Sequence, residues 1–400
     1  MCLLNFNQGA VMSKGHILYV GNFELPDKNA AAHRVLNNAK LFRELGYHTV
    51  FLGINKVLAP ESQQDISKQK PTIIQGFDSY VEPYPRSALK WTERAVGIGN
   101  VRKLYERYPE TKCIIYYNYG AMAMWRAKRF FSRRSIRVLA DLTEWYYPGT
   151  RNPLKKLELY LRMKVVPFRL DGLILVSRFF EKYYAGAKSV FVPPLVDGED
   201  EKWQCEPFVY DEEQIHFAYA GDMKNKDKIN CFLEALDLFS EKRNYILRIA
   251  GVTKTEYLFY NPEYKDLLDR LGNRVCFLGR ISHQESIRVT KSSDYYVFFR
   301  DKTIYNQAGF PTKFTEAVTC NTHVITNKTS NIEEFFTEDT VFLLEVPSID
   351  NIQSVLKGIL TDPVKKDKTQ SISNSPFDYR NFVLTMRQFL ESNYCAGEKK

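Results

Sequence analysis

The sequence predicts an α/β fold of two doubly wound parallel sheets facing a cleft. Three observations carry that expectation. The 400 residues exceed what one hydrophobic core ordinarily supports. Apolar strands alternate with helix-patterned segments in both halves. Between the halves, a stretch rich in Pro and acid breaks the rhythm.

In the first half, residues 15–23 (GHILYVGNF) read as a short apolar strand ending at Gly21-Asn22. Residues 29–46 (NAAAHRVLNNAKLFRELG) follow with apolar positions at helical spacing and stop at Gly46. Residues 48–54 (HTVFLGI) resume as a second buried strand and complete a β-α-β unit of a parallel sheet. Further strands are expected at 112–119 (KCIIYYNY), 136–142 (IRVLADL) and 171–177 (DGLILVS).

Residues 189–214 (SVFVPPLVDGEDEKWQCEPFVYDEEQ) lose the alternation at Pro193-Pro194, which places the interdomain linker there. The alternation restarts with a strand at 215–223 (IHFAYAGDM) and a helix at 228–242 (KINCFLEALDLFSEK). Strands follow at 245–251 (YILRIAG), 275–281 (VCFLGRI), 295–301 (YYVFFRD) and 341–346 (VFLLEV). The expected domains are residues 1–195 and 196–375, followed over 376–400 by a C-terminal helix that can return to the first. No repeat of fixed short period occurs, which argues against a solenoid. Ligands of doubly wound sheets bind beyond the carboxyl ends of the strands, so the loops at Gly21-Asn22, Asp141 to Glu144, Gly221 to Lys228 and Ala308 to Glu316 are where chemistry is expected.

Apolar residues at 44% and charged residues at 26% describe a folded chain rather than a disordered one. The net charge of +9 calls for an anionic partner or water. Nucleic-acid binding is disfavoured because its fold motifs are missing. Seven Cys with neither CxxC nor zinc-like spacing fit reduced thiols and a cytoplasmic protein. No apolar run reaches the roughly 18 residues that cross a bilayer, and residues 1–15 lack a secretory leader.

The most informative stretch is 308–326 (AGFPTKFTEAVTCNTHVIT). Pro311 cannot sit inside a helix, and Thr312 is placed to cap one that begins at about Lys313. Lys313 and Glu316, three apart, then share the first turn beside unpaired N–H groups and the positive end of the dipole, a setting that attracts phosphate. Gly309 and Phe310 precede it, the Gly permitting close backbone approach to a ligand. The competing structural reading is an ordinary helix start with a Lys-Glu pair.

These residues resemble the donor-site signature of GT-B glycosyltransferases, particularly glycosyltransferase family 4: Pro311, Lys313, Glu316, Val324 and Ile325 match, while Asn321 and His323 stand where Gly and Pro are usual. Asn321 tolerates the left-handed conformation such a helix end requires. The resemblance implies two Rossmann-like domains, the first binding acceptor and the second binding the nucleotide-sugar donor. It implies that Glu316 holds ribose hydroxyls and that the backbone of Gly309 and Phe310 lies by the diphosphate and sugar. Ala308 stands where many relatives carry a second acid.

Residues 219–236 (YAGDMKNKDKINCFLEAL) resemble the first donor-domain strand, its glycine turn at Gly221 and a Lys on the diphosphate, either Lys226 or Lys228. The Arg usual after the glycine is absent, and Arg300 is the candidate substitute. The loop after 275–279 resembles the one that holds the base, near Arg280 and Ile281. Gly21 and Asn22 match the opening glycine loop, and Ser177 reads as a helix cap.

Residues 139–149 (LADLTEWYYPG) carry Asp141 and Glu144 where relatives often place a His beside the reacting carbon. They are candidates for binding sugar hydroxyls or accepting the acceptor's proton, or else for capping the following turn. Arg34 and His33 are candidates for touching acceptor or phosphate, or for a surface role.

The resemblance spans about residues 16 to 390. It implies a retaining transfer from a UDP- or GDP-sugar, with no metal and no cofactor, nearest to bacterial enzymes that build capsule or other surface polysaccharide. No Asp-x-Asp lies near the expected cleft loops, in keeping with metal-free transfer. The acceptor is expected to be a glycan or a polyprenyl-diphosphate-linked one. Residues 152–172 and 124–137, basic and amphipathic, allow contact with an anionic membrane at the inner face of the plasma membrane. The alternatives are an idle GT-B subunit supporting an active partner, and a nucleotide-sugar epimerase.

Overall fold

The computed structural model describes residues 13–58, 65–146, 149–221, 227–239, 244–336, 340–364 and 375–392. The chain divides into two compact units. Unit 1 comprises residues 1–176, 180–195 and 379–400; unit 2 comprises 177–179 and 196–378.

Unit 1 is built on eight strands: β1 (His16–Gly21), β2 (His48–Asn55), β3 (Thr72–Ile74), β4 (Phe77–Pro83), β5 (Thr111–Tyr117), β6 (Arg137–Leu142), β7 (Gly172–Leu175) and β8 (Ser189–Phe191). Their order is β3-β4-β2-β1-β5-β6-β7-β8. All pairs are parallel except the antiparallel β3–β4 hairpin. β1 is flanked by β2, with Ile17 opposite Thr49, and by β5, with Leu18 opposite Ile114. The strand order therefore reverses beside β1, whose exit carries Gly21.

The Ala30–Glu44 helix returns the chain from β1 to β2. Asn29 caps it, accepting from the Ala32 amide at 3.0 Å. Its inner face buries Val35, Leu36, Ala39 and Phe42 against Tyr19, Phe51 and Phe77. The same core takes in Met386, Phe389 and Leu390 of the terminal Val383–Glu391 helix. Gly172 makes room for it, since a Cβ there would come within 2.6 Å of Phe389 Cζ.

Unit 2 is a six-stranded, all-parallel sheet of β9 (Ile215–Ala220), β10 (Tyr245–Ala250), β11 (Val275–Gly279), β12 (Tyr295–Val297), β13 (His323–Asn327) and β14 (Val341–Leu344). Its order is β11-β10-β9-β12-β13-β14, so the winding reverses between β9 and β12. The predicted α/β class and paired parallel sheets are both present.

Three local expectations change. Ser189–Phe191, assigned above to the linker, pairs with β7 as the edge strand β8, with Pro193-Pro194 following its last paired residue. Trp203, in the same stretch, is 2% exposed, and the Lys291 ammonium donates to the Trp203 and Cys205 carbonyls next to it. The β3–β4 hairpin was not anticipated. It turns at Gln75-Gly76, both with positive φ (50° and 83°), the geometry a two-residue hairpin turn needs.

Candidate functional site

The winding reversal of unit 2 concentrates charge at the exits of β9 and β12. Asp227 (8% exposed) and Arg300 (8% exposed) form an isolated bridge there. Arg300 Nε donates to Asp227 Oδ1 at 2.9 Å. Arg300 is fixed from behind by Asn327 at the end of β13, whose side chain accepts from the Arg300 amide at 2.8 Å and donates to its carbonyl at 2.9 Å.

Lys313 reaches the same carboxylate from the Thr312–Thr319 helix. Its ammonium pairs with Asp227 Oδ2, donates to the Tyr219 hydroxyl at 3.0 Å and lies 4.3 Å from the Tyr219 ring centre. The Tyr219 hydroxyl in turn donates to Asp227 Oδ2 at 3.0 Å. Burial pulls the Lys313 ammonium below the usual lysine range, against the attraction of Asp227. Burial alone would raise Asp227, but the Lys313 and Arg300 charges outweigh it and hold the carboxyl below its ordinary value. Two cations thus share one carboxylate in a largely enclosed place.

Gly221 makes this approach possible. Its φ is +152°, and a Cβ would run into the Lys313 ammonium. The next strand exit is closed just as tightly: a Cβ on Gly251 would meet the Gly221 carbonyl, and the Gly251 amide donates to the Gly279 carbonyl at 2.7 Å. Tyr296 of β12 locks the end of β9, its hydroxyl accepting from the Ala220 amide and donating to the Ala220 carbonyl, both at 2.9 Å.

The helix that carries Lys313 begins at Thr312, with Pro311 in the cap position and no side-chain cap. This corrects the expectation that Thr312 caps a helix starting at Lys313. Pro311 is extended (φ −75°, ψ 106°), so Thr312 is already the first helical residue and its hydroxyl lies past the capping position. The amides of Phe310, Thr312 and Lys313 have no acceptor among the described residues. Phe310 itself is buried, its ring 5.6 Å from Phe335 and 5.8 Å from Phe377, so only its backbone is available. Gly309 ends the preceding Ile304–Ala308 helix. Ser177, read above as a cap, donates its hydroxyl to the Ala308 carbonyl at 2.6 Å. Glu316 lies one turn beyond Thr312, 20% exposed at the side chain, with Oε1 3.1 Å from His283 Nε2. Asn321 at the far end has φ 51°, as its left-handed role requires.

The other expected donor-side residues stand as follows. Lys228 is half-exposed and pairs with Asp301 at 2.7 Å, whose hydrogen bond raises the ammonium pKa. Arg280 is exposed and Ile281 half-buried, directly after β11. Lys226 lies outside the described residues. Asp227, Tyr219, Tyr296 and His283 were not singled out by sequence. The one signal for Asp227 is an acid inside a Lys-rich loop.

In unit 1, Asp141 is 0% exposed. Arg34 grips it through Nε and Nη2 at 2.7–3.0 Å, and the Tyr19 hydroxyl donates to it at 2.5 Å. Arg34 also donates to the Val192 and Pro193 carbonyls. The readings of Asp141 as a proton acceptor and of Arg34 as a ligand contact are therefore corrected: each is enclosed and committed to the other, joining the Ala30–Glu44 helix to β6 and the β8 exit. Glu144 remains half-buried beyond Thr143, which is tied to Asn118 by two side-chain bonds. His33 pairs with Asp27. At the β1 exit, Arg94 donates to the Gly21 carbonyl and to Asn22 Oδ1, both at 3.1 Å.

Comparison with known proteins accords with this geometry. Residues 204–375, which contain the cluster around Asp227, match the family described as glycosyl transferases group 1. No curated protein matches the chain in sequence. Among solved structures, sucrose-phosphate synthase from Thermosynechococcus elongatus is similar with a TM-score of 0.70 at 14% identity, covering 96% of this chain and 100% of that one. HepE from Anabaena in complex with UDP and glucose gives 0.61 at 14%, covering 94% and 100%. The lipopolysaccharide outer core galactosyltransferase WaaB gives 0.61 at 12%, covering 94% and 99%. At these identities the structures establish a shared fold, and that fold and the family match together support a GT-B glycosyltransferase.

Proposed function

We propose that the chain is a retaining, metal-independent glycosyltransferase of the family 4 type, moving a hexose from a UDP- or GDP-sugar to a glycan or polyprenyl-diphosphate-linked acceptor in capsule or other surface-polysaccharide synthesis. The observation that carries the donor half is the pairing of Lys313 and Arg300 on the single carboxylate of Asp227, beside three amides at a helix entrance that have no acceptor among the described residues. That arrangement is one negative charge short, and a diphosphate supplies it. The family match over the same residues, and the UDP held by the similarly folded HepE, support a nucleotide sugar as the ligand.

On this reading unit 2 holds the donor and unit 1 the acceptor. Lys313, Arg300 and the helix entrance offset the charge that grows on the leaving diphosphate, a term worth several kcal/mol in a water-poor site. Lys228 is a further candidate, since its exposed pair with Asp301 exchanges readily, and Lys226 stands two positions before it in the sequence. Glu316 accepts hydroxyls of the ribose, with His283 orienting its other side. Of the two carboxylates Asp141 and Glu144, the first is enclosed and Glu144 remains the candidate to meet an acceptor hydroxyl.

No helix among the described residues is long and apolar enough to cross a membrane. The Pro153–Tyr160 helix exposes Leu154, Leu157 and Tyr160 beside Lys155 and Lys156, which favours peripheral contact with an anionic cytoplasmic membrane face.

Glu316→Ala tests the donor site. Binding of UDP and GDP, followed by thermal shift, is expected to vanish in the variant while its circular dichroism stays that of the wild type. Wild-type nucleotide affinity in the variant removes the assignment. Failure of every nucleoside diphosphate to raise the wild-type melting temperature removes the transferase reading itself.

A further inference from the structure

Unit 1 contains a concavity that the donor reading leaves unused. It is a pocket of about 460 Å³ beyond the carboxyl ends of β2 and β4, lined entirely by unit 1 residues and bounded by the Ala88–Val96 and Gly99–Arg107 helices. The volume falls within the roughly 300–1,000 Å³ of small-molecule sites.

Its base is ionic and fixed. The Arg94 side chain, 8% exposed, pairs with Glu82, 13% exposed. Arg94 also donates through Nη2 to the Gly21 carbonyl and through Nε to Asn22 Oδ1, and its guanidinium lies 5.2 Å from the Tyr119 ring centre. Glu82 Oε1 accepts from Asn100 Nδ2 at 2.5 Å. Glu82 Oε2 is buried against Arg94, while Oε1 still has a second lone pair and the Asn100 amide still has its carbonyl and one N–H. Glu82 and Asn100 therefore present acceptors and a donor at set positions, the pattern that adjacent hydroxyls satisfy. Tyr84, braced edge-on by Trp91 at 5.3 Å between ring centres, adds a half-buried aromatic face suited to the apolar side of a sugar ring.

The rim supplies charge. Lys90 is neutralised by Glu93 at 2.8 Å. Arg86 is exposed and donates a single long bond to the Lys56 carbonyl at 3.5 Å, with no carboxylate partner among the described residues. Of the three cations lining the pocket, Arg86 is thus the one that no carboxylate among the described residues pairs.

We propose that this pocket binds a sugar ring bearing an anionic group, with ring hydroxyls on Glu82 and Asn100 and the charge on Arg86. As an acceptor site it rests on the transferase reading; as a binding site it stands without it.

The test titrates the full-length chain with glucose 6-phosphate, glucuronate and glucose by saturation-transfer NMR, and with UDP in a parallel sample. Arg86→Ala is expected to weaken both anionic sugars by about fivefold, the scale of one partly exposed ion pair, while glucose and UDP bind as before. Asn100→Ala is expected to weaken all three sugars and leave UDP unchanged. The two anions distinguish phosphate from carboxylate as the preferred charge. Absence of saturable binding by any sugar, or wild-type sugar binding in both variants, overturns the pocket. Equal affinity for glucose and the anions overturns the role of Arg86. Sugar binding without UDP binding sinks the donor assignment and leaves this one standing.

Discussion

Asp227 keeps two cations from facing one another in an enclosed place, and its removal exposes that conflict. Asp227→Ala is expected to cost about 3–5 kcal/mol in denaturant unfolding, the usual result of stripping one partner from a buried ion pair. Lys313→Met is expected to cost far less, because Arg300 keeps its carboxylate. The cluster also sets an acid limit. The Asp227 carboxyl is held below its ordinary value in the folded chain. Its contribution is therefore complete above the unfolded value of about 3.9 and fades as pH falls through the folded value. Asp227→Asn is expected to flatten that acid loss in unfolding curves taken from neutral pH downward. Gly221→Ala, which forces a side chain into φ +152° and into Lys313, is expected to lower stability by about 1–3 kcal/mol and to weaken UDP binding alongside. The placement of Lys313 and Glu316 on one helical turn was readable from their spacing. Asp227 was not, since its lysine lies 86 residues away. Asp141 misled for the same reason: a strand-end carboxylate reads alike whether it faces a ligand or an arginine 107 positions earlier.

Central strands were legible because both their faces are buried, which leaves unbroken apolar runs such as those of β1, β2 and β9. The strands β3, β4 and β8, at or next to the sheet edge, were not. Ser189–Phe191 is only three residues long and sits against prolines, and β4 mixes Asp78, Ser79 and Glu82 into its seven positions. The Gln75-Gly76 turn between two short β-branched and aromatic runs was the available hairpin signal. The terminal Val383–Glu391 helix is amphipathic in sequence, but only the fold tells which core receives it. Phe389→Ala is expected to destabilise the protein by about 3–5 kcal/mol, read by thermal or denaturant unfolding, and Gly172→Ala to produce a smaller loss by pressing on the same ring.

At the scale of the molecule, the net charge of +9 and two doubly wound sheets were both readable before any coordinates. Which carboxylates and cations meet was not, because such pairing depends on strand order. Saturating UDP at about one hundred times its Kd is expected to stabilise the native state by about 2.7 kcal/mol. Hydrogen exchange is expected to slow at the Thr312 and Lys313 amides while the unit 1 strands exchange as before. Protection confined to unit 1 would contradict the donor assignment.

Because Tyr379, Met386 and Phe389 belong to the core of unit 1, the sheet made before unit 2 is completed only after it. On the ribosome, residues 196–378 emerge whole before the early sheet receives its closing helix, so that sheet waits with an open apolar flank through the synthesis of its neighbour. A premature stop that spared all of unit 2 would therefore injure the opposite end of the polypeptide.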